Sequence, residues 1–184
     1  MKKRIGSVLL ALALCLSLLP ATALAEGEGD TESSTTTPSD SEQMPTYSGG
    51  SGTKDNPWLI SSVEELQTLA NTINEGNAAG FDADSANIGN YYGYYFKQTA
   101  DIDLTGVSWE PIGYSGSYYF AGNYDADGHS ITNAVSTGKV DPDGFATAGI
   151  FGWVAFGSVE NLHVENANFV ATCQNNYSYV GGIA

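Results

Sequence analysis

The spacing of apolar residues changes character along this chain. Val63, Leu66, Leu69, Ala70 and Ile73 recur every three or four positions, the period of a helix with one apolar face. Ser62 stands where an N-cap belongs, Glu65 completes a capping box three residues later, and Gly76 is a stop signal. The pattern predicts one amphipathic helix over about 62–75. Ahead of it, Asn56-Pro57-Trp58-Leu59-Ile60 reads as a short extended run, because the proline biases Asn56 away from helix. After it the period drops to two. Tyr94-Tyr95-Phe96-Lys97-Gln98 and Asp101-Ile102-Asp103-Leu104 alternate as half-buried strands do, which turns Ile102 and Leu104 inward and Asp101 and Asp103 outward. Ile112, Phe120, Ile131, Val135, Ile150, Phe151, Val154, Val159, Leu162, Val164, Phe169 and Val180 are the further expected core, with Gly, Asn and Asp between them. With 22 glycines and one short helix, the pattern excludes a helical bundle or a βαβ sheet and predicts an all-β fold.

A repeat sharpens that expectation. Ile131-Thr132-Asn133-Ala134, Val159-Glu160-Asn161-Leu162 and Val164-Glu165-Asn166-Ala167 share one tetrad. The first two start 159 − 131 = 28 positions apart. Gly149-Ile150-Phe151-Gly152 is echoed by Gly182-Ile183-Ala184, 182 − 149 = 33 positions on. Periods of this size mark solenoids, in which each coil buries its face on the next. The expected architecture is a right-handed parallel β-helix, with the helix at 62–75 capping its first coil and asparagines stacked from coil to coil. The shortened echo at the C-terminus predicts that 51–184 is the cap and first coils of something longer.

The N-terminus changes the picture of location. Lys2, Lys3 and Arg4 precede an apolar stretch from Val8 to Leu19, and Ala23-Leu24-Ala25 is a small-x-small cleavage site. This order predicts a secretory signal peptide over 1–25, cleaved after Ala25. The apolar stretch is shorter than the ~20 residues a membrane span requires. Residues 26–50 are dominated by Glu, Asp, Ser, Thr, Gly and Pro and read as a disordered acidic spacer. Beyond the signal only Lys54, Lys97 and Lys139 remain against 21 acidic residues, so the mature charge is 3 − 21 = −18. Such a chain repels nucleic acid and anionic lipid. Cys173 is the only cysteine left after the signal, too few for an internal disulfide or a Cys-based zinc site.

The order of blocks GTKDNPWLISSVEELQTLANTIN, YYFKQTADIDLTG, WEPIG, FAGNYDADGHSITNA, AGIFGWV and VENLHVENANF resembles bacterial surface proteins that carry the GLUG motif. Gly149-Ile150-Phe151-Gly152 matches the motif itself, and the likeness spans about 51–184. It implies a β-helix, and related segments stand upstream of immunoglobulin-A-cleaving zinc proteases. The motif is structural, so the likeness implies no catalytic residue. The HExxH of those proteases is absent, since His129 is followed by Ser130 and His163 by Val164.

Candidate chemistry is sparse. Asn123-Tyr124-Asp125-Ala126-Asp127-Gly128 has the oxygen spacing of half a calcium loop. Ala134 stands where the bidentate carboxylate belongs, so an Asp-Gly turn is the first reading and weak calcium binding through Asn123, Asp125 and Asp127 the second. Asp101 and Asp103 share a predicted strand face, an arrangement that can cleave glycosides when an acid and a base oppose each other; solvated carboxylates are the plainer reading. Tyr91, Tyr92, Tyr94, Tyr95, Tyr118 and Tyr119, beside Tyr114, form two aromatic clusters. These rings suit stacking on a sugar or a protein partner, or alternate ones belong to the core. The reading is an exported, noncatalytic surface module for adhesion, glycan or host-matrix protein binding, or structural display, without cofactor. The rival is the front of a polysaccharide-active enzyme or of a zinc protease whose catalytic part lies beyond 184.

Overall fold

The computed structural model describes residues 46–78, 90–173 and 177–184. The predicted signal peptide and most of the predicted spacer lie outside the described residues. Among those described there is one helix and twelve short strands, so the fold is all-β with a single helical element.

The helix α1 (Val63–Asn74) begins as expected, with the Ser62 side chain accepting from the Glu65 N–H at 3.3 Å. The other half of the box is displaced by one residue. The Glu65 carboxylate accepts from the Ser61 N–H at 2.7 Å and from the Ser61 hydroxyl at 2.9 Å, and also from the Ser48 hydroxyl. The helix ends at Gly76 (φ 75°) in a Schellman arrangement: Gly76 N–H reaches the Ile73 carbonyl and Asn77 N–H the Thr72 carbonyl. Leu66, Leu69, Ala70 and Ile73 are buried in the common core, the stripe that the helical period marks.

The strands are β1 (Trp58–Ile60), β2 (Tyr95–Gln98), β3 (Ile102–Asp103), β4 (Asn123–Asp125), β5 (Ser130–Thr132), β6 (Val135–Ser136), β7 (Lys139–Val140), β8 (Ala146–Ala148), β9 (Ser158–Glu160), β10 (His163–Glu165), β11 (Asn168–Phe169) and β12 (Ser178–Val180). They form four sheets in the orders β1-β2-β4-β9, β10-β5-β3, β11-β6 and β12-β8-β7. Consecutive strands seldom pair. Every strand but β7 hydrogen-bonds in parallel to one that comes much later or earlier in the chain; β7 pairs with β8 alone, and antiparallel.

The register corrects the spacing read from the tetrads. Ile131 pairs with Val164, 164 − 131 = 33 positions on, rather than with Val159. Val159 pairs instead with Tyr124. The two later tetrads therefore start on the consecutive strands β9 and β10, which belong to different sheets, and the step from Ile131 to its partner is 33 residues. It recurs where Val135 pairs with Asn168, 168 − 135 = 33, and it is one residue shorter beside the glycine motif, where Ala148 pairs with Val180, 180 − 148 = 32.

Between strands the chain turns at asparagines. Asn133, Asn161 and Asn166, the third residue of each tetrad, all lie in the left-handed region (φ 59°, 55° and 51°), which asparagine tolerates better than most residues. Asp127 and Gly128 (φ 52° and 84°) form a type I′ turn closed by His129 N–H to the Ala126 carbonyl. It joins β4 to β5, which belong to different sheets, so it is a corner and not a hairpin.

Of the expected core, Ile112, Phe120, Ile131, Ile150 and Phe151 are fully buried and Leu162 is buried. Val154, Val159, Val164 and Phe169 pack against them partly covered. Val135 and Val180 are exposed. The left-handed Asn133 shifts the phase of alternation, so Ala134 and Ser136 point inward and Val135 outward. Ahead of Ser51, Tyr47 packs on Trp58 and Phe96, and the Gly49 carbonyl accepts from the Leu59 N–H.

Candidate functional site

The outward face of the β1-β2-β4-β9 sheet carries a groove of about 600 Å³. Its side chains follow from strand periodicity. Phe96 and Tyr124 point into the core, so their neighbours on either side point out. Register then lines them up in two rows. Tyr95, Asn123 and Ser158 stand opposite one another across β2, β4 and β9. Lys97, Asp125 and Glu160 form the second row two residues along. Neighbouring members of a row are ~4.8 Å apart and the rows ~6.7 Å apart, the two repeat distances of a sheet. Lys54 and Pro57 line the groove beside β2.

Internal bonds hold much of this face in place. The Ser158 hydroxyl donates to Asn123 Oδ1 at 3.2 Å. Asp125 Oδ1 accepts from Asn161 Nδ2 at 2.8 Å and from the Asp127 N–H at 2.9 Å. These bonds, in that order of weight, hold its carboxyl below the usual range, with Lys97 adding to them. Lys97 pairs with Asp127 at 2.9 Å, which raises the lysine pKa. Lys54 is exposed and makes no ion pair among the described residues.

The sequence candidates are distributed differently from the expectation. Tyr95 lines the groove. Tyr91 is fully buried, its hydroxyl 3.2 Å from that of Tyr47, and so is no part of a binding surface. Burial raises the pKa of both hydroxyls. Tyr94 is half-buried and stacked on Trp58 at 4.7 Å. Tyr92 is exposed. Tyr118 stacks on Tyr114 at 5.2 Å, and Tyr119 meets Phe156 edge-on at 6.1 Å. Within the first cluster Tyr91 thus belongs to the core, beside a turn in which Asn90 and Tyr91 both have positive φ (65° and 64°).

The three residues of the second, calcium reading are engaged in internal bonds, and Asp127-Gly128 forms the turn of the first reading. Asn123 Oδ1 accepts from Ser158, Asp125 Oδ1 from Asn161 and the Asp127 N–H, and Asp127 Oδ2 pairs with Lys97. Among the described residues no three His, Cys, Asp or Glu side chains gather as a metal site would require.

Asp101 and Asp103 are also corner acceptors. Asp101 accepts from the Ser130 N–H at 2.8 Å and lies 3.3 Å from His129 Nδ1. Asp103 accepts from Asn133 Nδ2, the Thr105 hydroxyl and the Thr105 N–H. Both carboxyls are lowered by these bonds, the opposite of what a general acid needs. Asp103 with Asn133 repeats the geometry of Asp125 with Asn161. In each, an asparagine one place past the register partner reaches back to the aspartate of the neighbouring strand.

Sequence reasoning missed Lys54, Lys97, Ser158 and Glu160. Period-two alternation marks Lys97 as outward, but nothing local says which strand lies beside which.

No family model matches the chain, and no solved structure matches it. It is similar to a protein of Evansella cellulosilytica carrying the name Gly-rich membrane protein, at 34% identity over 92 residues, 47% of this chain and 9% of that protein. It is similar to Halomucin of Haloquadratum walsbyi at 28% identity over 141 residues, 70% of this chain and 1% of that protein. The chain thus spans less than a tenth of either relative. Among the described residues no helix is long and apolar enough to cross a membrane.

Proposed function

We propose that this chain is a noncatalytic module of an exported, surface-associated protein, and that it binds glycans in the groove on the outward face of the β1-β2-β4-β9 sheet. The observation that carries the reading is the pair of side-chain rows. A flat ring at Tyr95, amide and hydroxyl groups at Asn123 and Ser158, and charged groups at Lys97, Asp125 and Glu160 face one groove. Sugars are recognised by that combination: an aromatic face for the ring carbons and fixed polar groups for the hydroxyls. The architecture belonging to this reading is a right-handed parallel β-helix of GLUG type. Parallel pairing at steps near 33 residues and the recurrent left-handed asparagines support it. The signal-like N-terminus supports export, and so do the names of the two relatives, a membrane protein and a mucin. A noncatalytic role is favoured because Glu65, Asp101, Asp103 and Asp125 are all shifted toward the charged form, leaving none of them poised to donate a proton near neutral pH.

The test is a glycan array probed with the purified chain, followed by titration of any hit. Tyr95→Ala and, as a variant on an exposed residue, Glu160→Ala should each weaken binding at least fivefold while Tyr92→Ala leaves it unchanged. An array without hits, or hits indifferent to both groove variants, would reject the groove as a glycan site.

A further inference from the structure

The groove differs in charge from the molecule that carries it. The whole chain has a formal charge of −15, and only three of its six basic residues lie beyond residue 25. Two of those three, Lys54 and Lys97, line this one groove, where Asp125 and Glu160 are the acidic lining residues. The lining is therefore balanced, two positive groups against two negative, on a strongly acidic molecule. Lys139, the third lysine, is tied to Glu110 elsewhere.

Resting on the glycan reading above, we infer that the ligand is a neutral, hydroxyl-rich glycan and not a uronate-containing, sialylated or sulfated one. A polyanion meets a repulsive field over the molecule as a whole and two carboxylates in the groove itself. Lys97 offers it little, because its ammonium is already 2.9 Å from Asp127. A cationic ligand would be drawn to the many acidic positions outside the groove and would meet two ammonium groups inside it. A sugar hydroxyl suits both signs. It donates to the carboxylate of Asp125 or Glu160 and accepts from the ammonium of Lys54, and hydrogen bonds to charged partners are about twice as strong as those between neutral groups. The uncharged row, Tyr95, Asn123 and Ser158, fits the same ligand, with a ring face for the apolar side of the sugar and an amide for its hydroxyls.

The experiment compares matched oligosaccharides, neutral and uronate- or sulfate-bearing, by calorimetry with the purified chain at 20 and 300 mM NaCl. Neutral oligosaccharides should bind with an affinity that changes less than twofold between the two salts, and the acidic counterparts at least tenfold more weakly. Preferred binding of the acidic set, weakening steeply with salt, would overturn the neutral-ligand inference while leaving the glycan reading intact. Equal binding of both sets would overturn it in the same way. Binding of neither set would overturn both. Lys54→Glu separates the cases further: neutral binding should fall by only the few-fold expected for one lost hydrogen-bond donor, whereas acidic binding that depended on Lys54 would vanish.

Discussion

Phe156 illustrates how much backbone conformation decides at single positions. It adopts φ 63° and is 78% exposed. A left-handed conformation costs a residue with a Cβ ~1–2 kcal/mol, and this ring recovers little of that by burial. Phe156→Asn should therefore raise stability by ~1 kcal/mol, a rise of ~2–4 °C in Tm for a chain of this size. Thermal unfolding followed by circular dichroism checks this, and a lower Tm would mean that the contact with Tyr119 outweighs the strain. The glycines of Gly149-Ile150-Phe151-Gly152 are needed for a different reason. A Cβ on Gly152 would come within 2.2 Å of the Gly113 carbonyl oxygen. The motif is a place where two stretches of backbone touch, which is why its residue types were legible as a repeat while the partner was not.

At the scale of elements, α1 and the groove sheet make a useful contrast. The helix was legible to within a residue because its cap, its period and its stop are all local. What local pattern could not say is how the helix is fastened. Asn74 is buried, donates from Nδ2 to the Pro111 carbonyl and accepts at Oδ1 from the Gly113 N–H, both at 3.0 Å. Asn74→Ala leaves a buried carbonyl and a buried N–H without partners and should cost ~2 kcal/mol or more, seen as a lower urea midpoint with an unchanged slope. A loss under half that size would mean that water replaces the side chain. The strands show the reverse. Their alternation was readable, but Val135 and Val180 were misplaced. The left-handed turn at Asn133 resets the phase before Val135, and Val180 sits on β12, whose residues are exposed. Among the tyrosines, Tyr91 is in the core while Tyr95, which alternates with buried Phe96 on β2, stands on the outer face.

Over the whole molecule, titration sets two edges of stability. Asp101, Asp103 and Asp125 have folded pKa values below the ordinary 3.8, chiefly through hydrogen bonds across the corners. Their contribution is complete above that value and is lost as pH falls through the lower folded values. Tyr47, Tyr91 and Tyr124 are raised above the ordinary 10.0, first by burial. Above pH ~10 the unfolded chain releases their protons and the folded chain does not, so stability falls as pH rises further. A plot of Tm against pH should be nearly flat between about 4 and 10 and drop on both sides. Asp103→Asn with Asp125→Asn should flatten the acid limb; an acid limb of unchanged steepness would assign it to other carboxylates.

By itself the sequence determined what is decided between near neighbours: one helix with its cap, an all-β remainder, an acidic surface with few lysines, and turns at Asn and Asp-Gly. Tertiary structure alone decided which strands lie side by side. Phe96 to Tyr124 is 124 − 96 = 28 positions and Tyr124 to Val159 is 159 − 124 = 35, so loops of unequal length hide the register from any fixed period. The groove depends on that register. Tyr95, Asn123 and Ser158 become neighbours only when β2, β4 and β9 close over a shared core of Phe96, Tyr124 and Phe151, because burial of those rings fixes which residues of each strand remain outside.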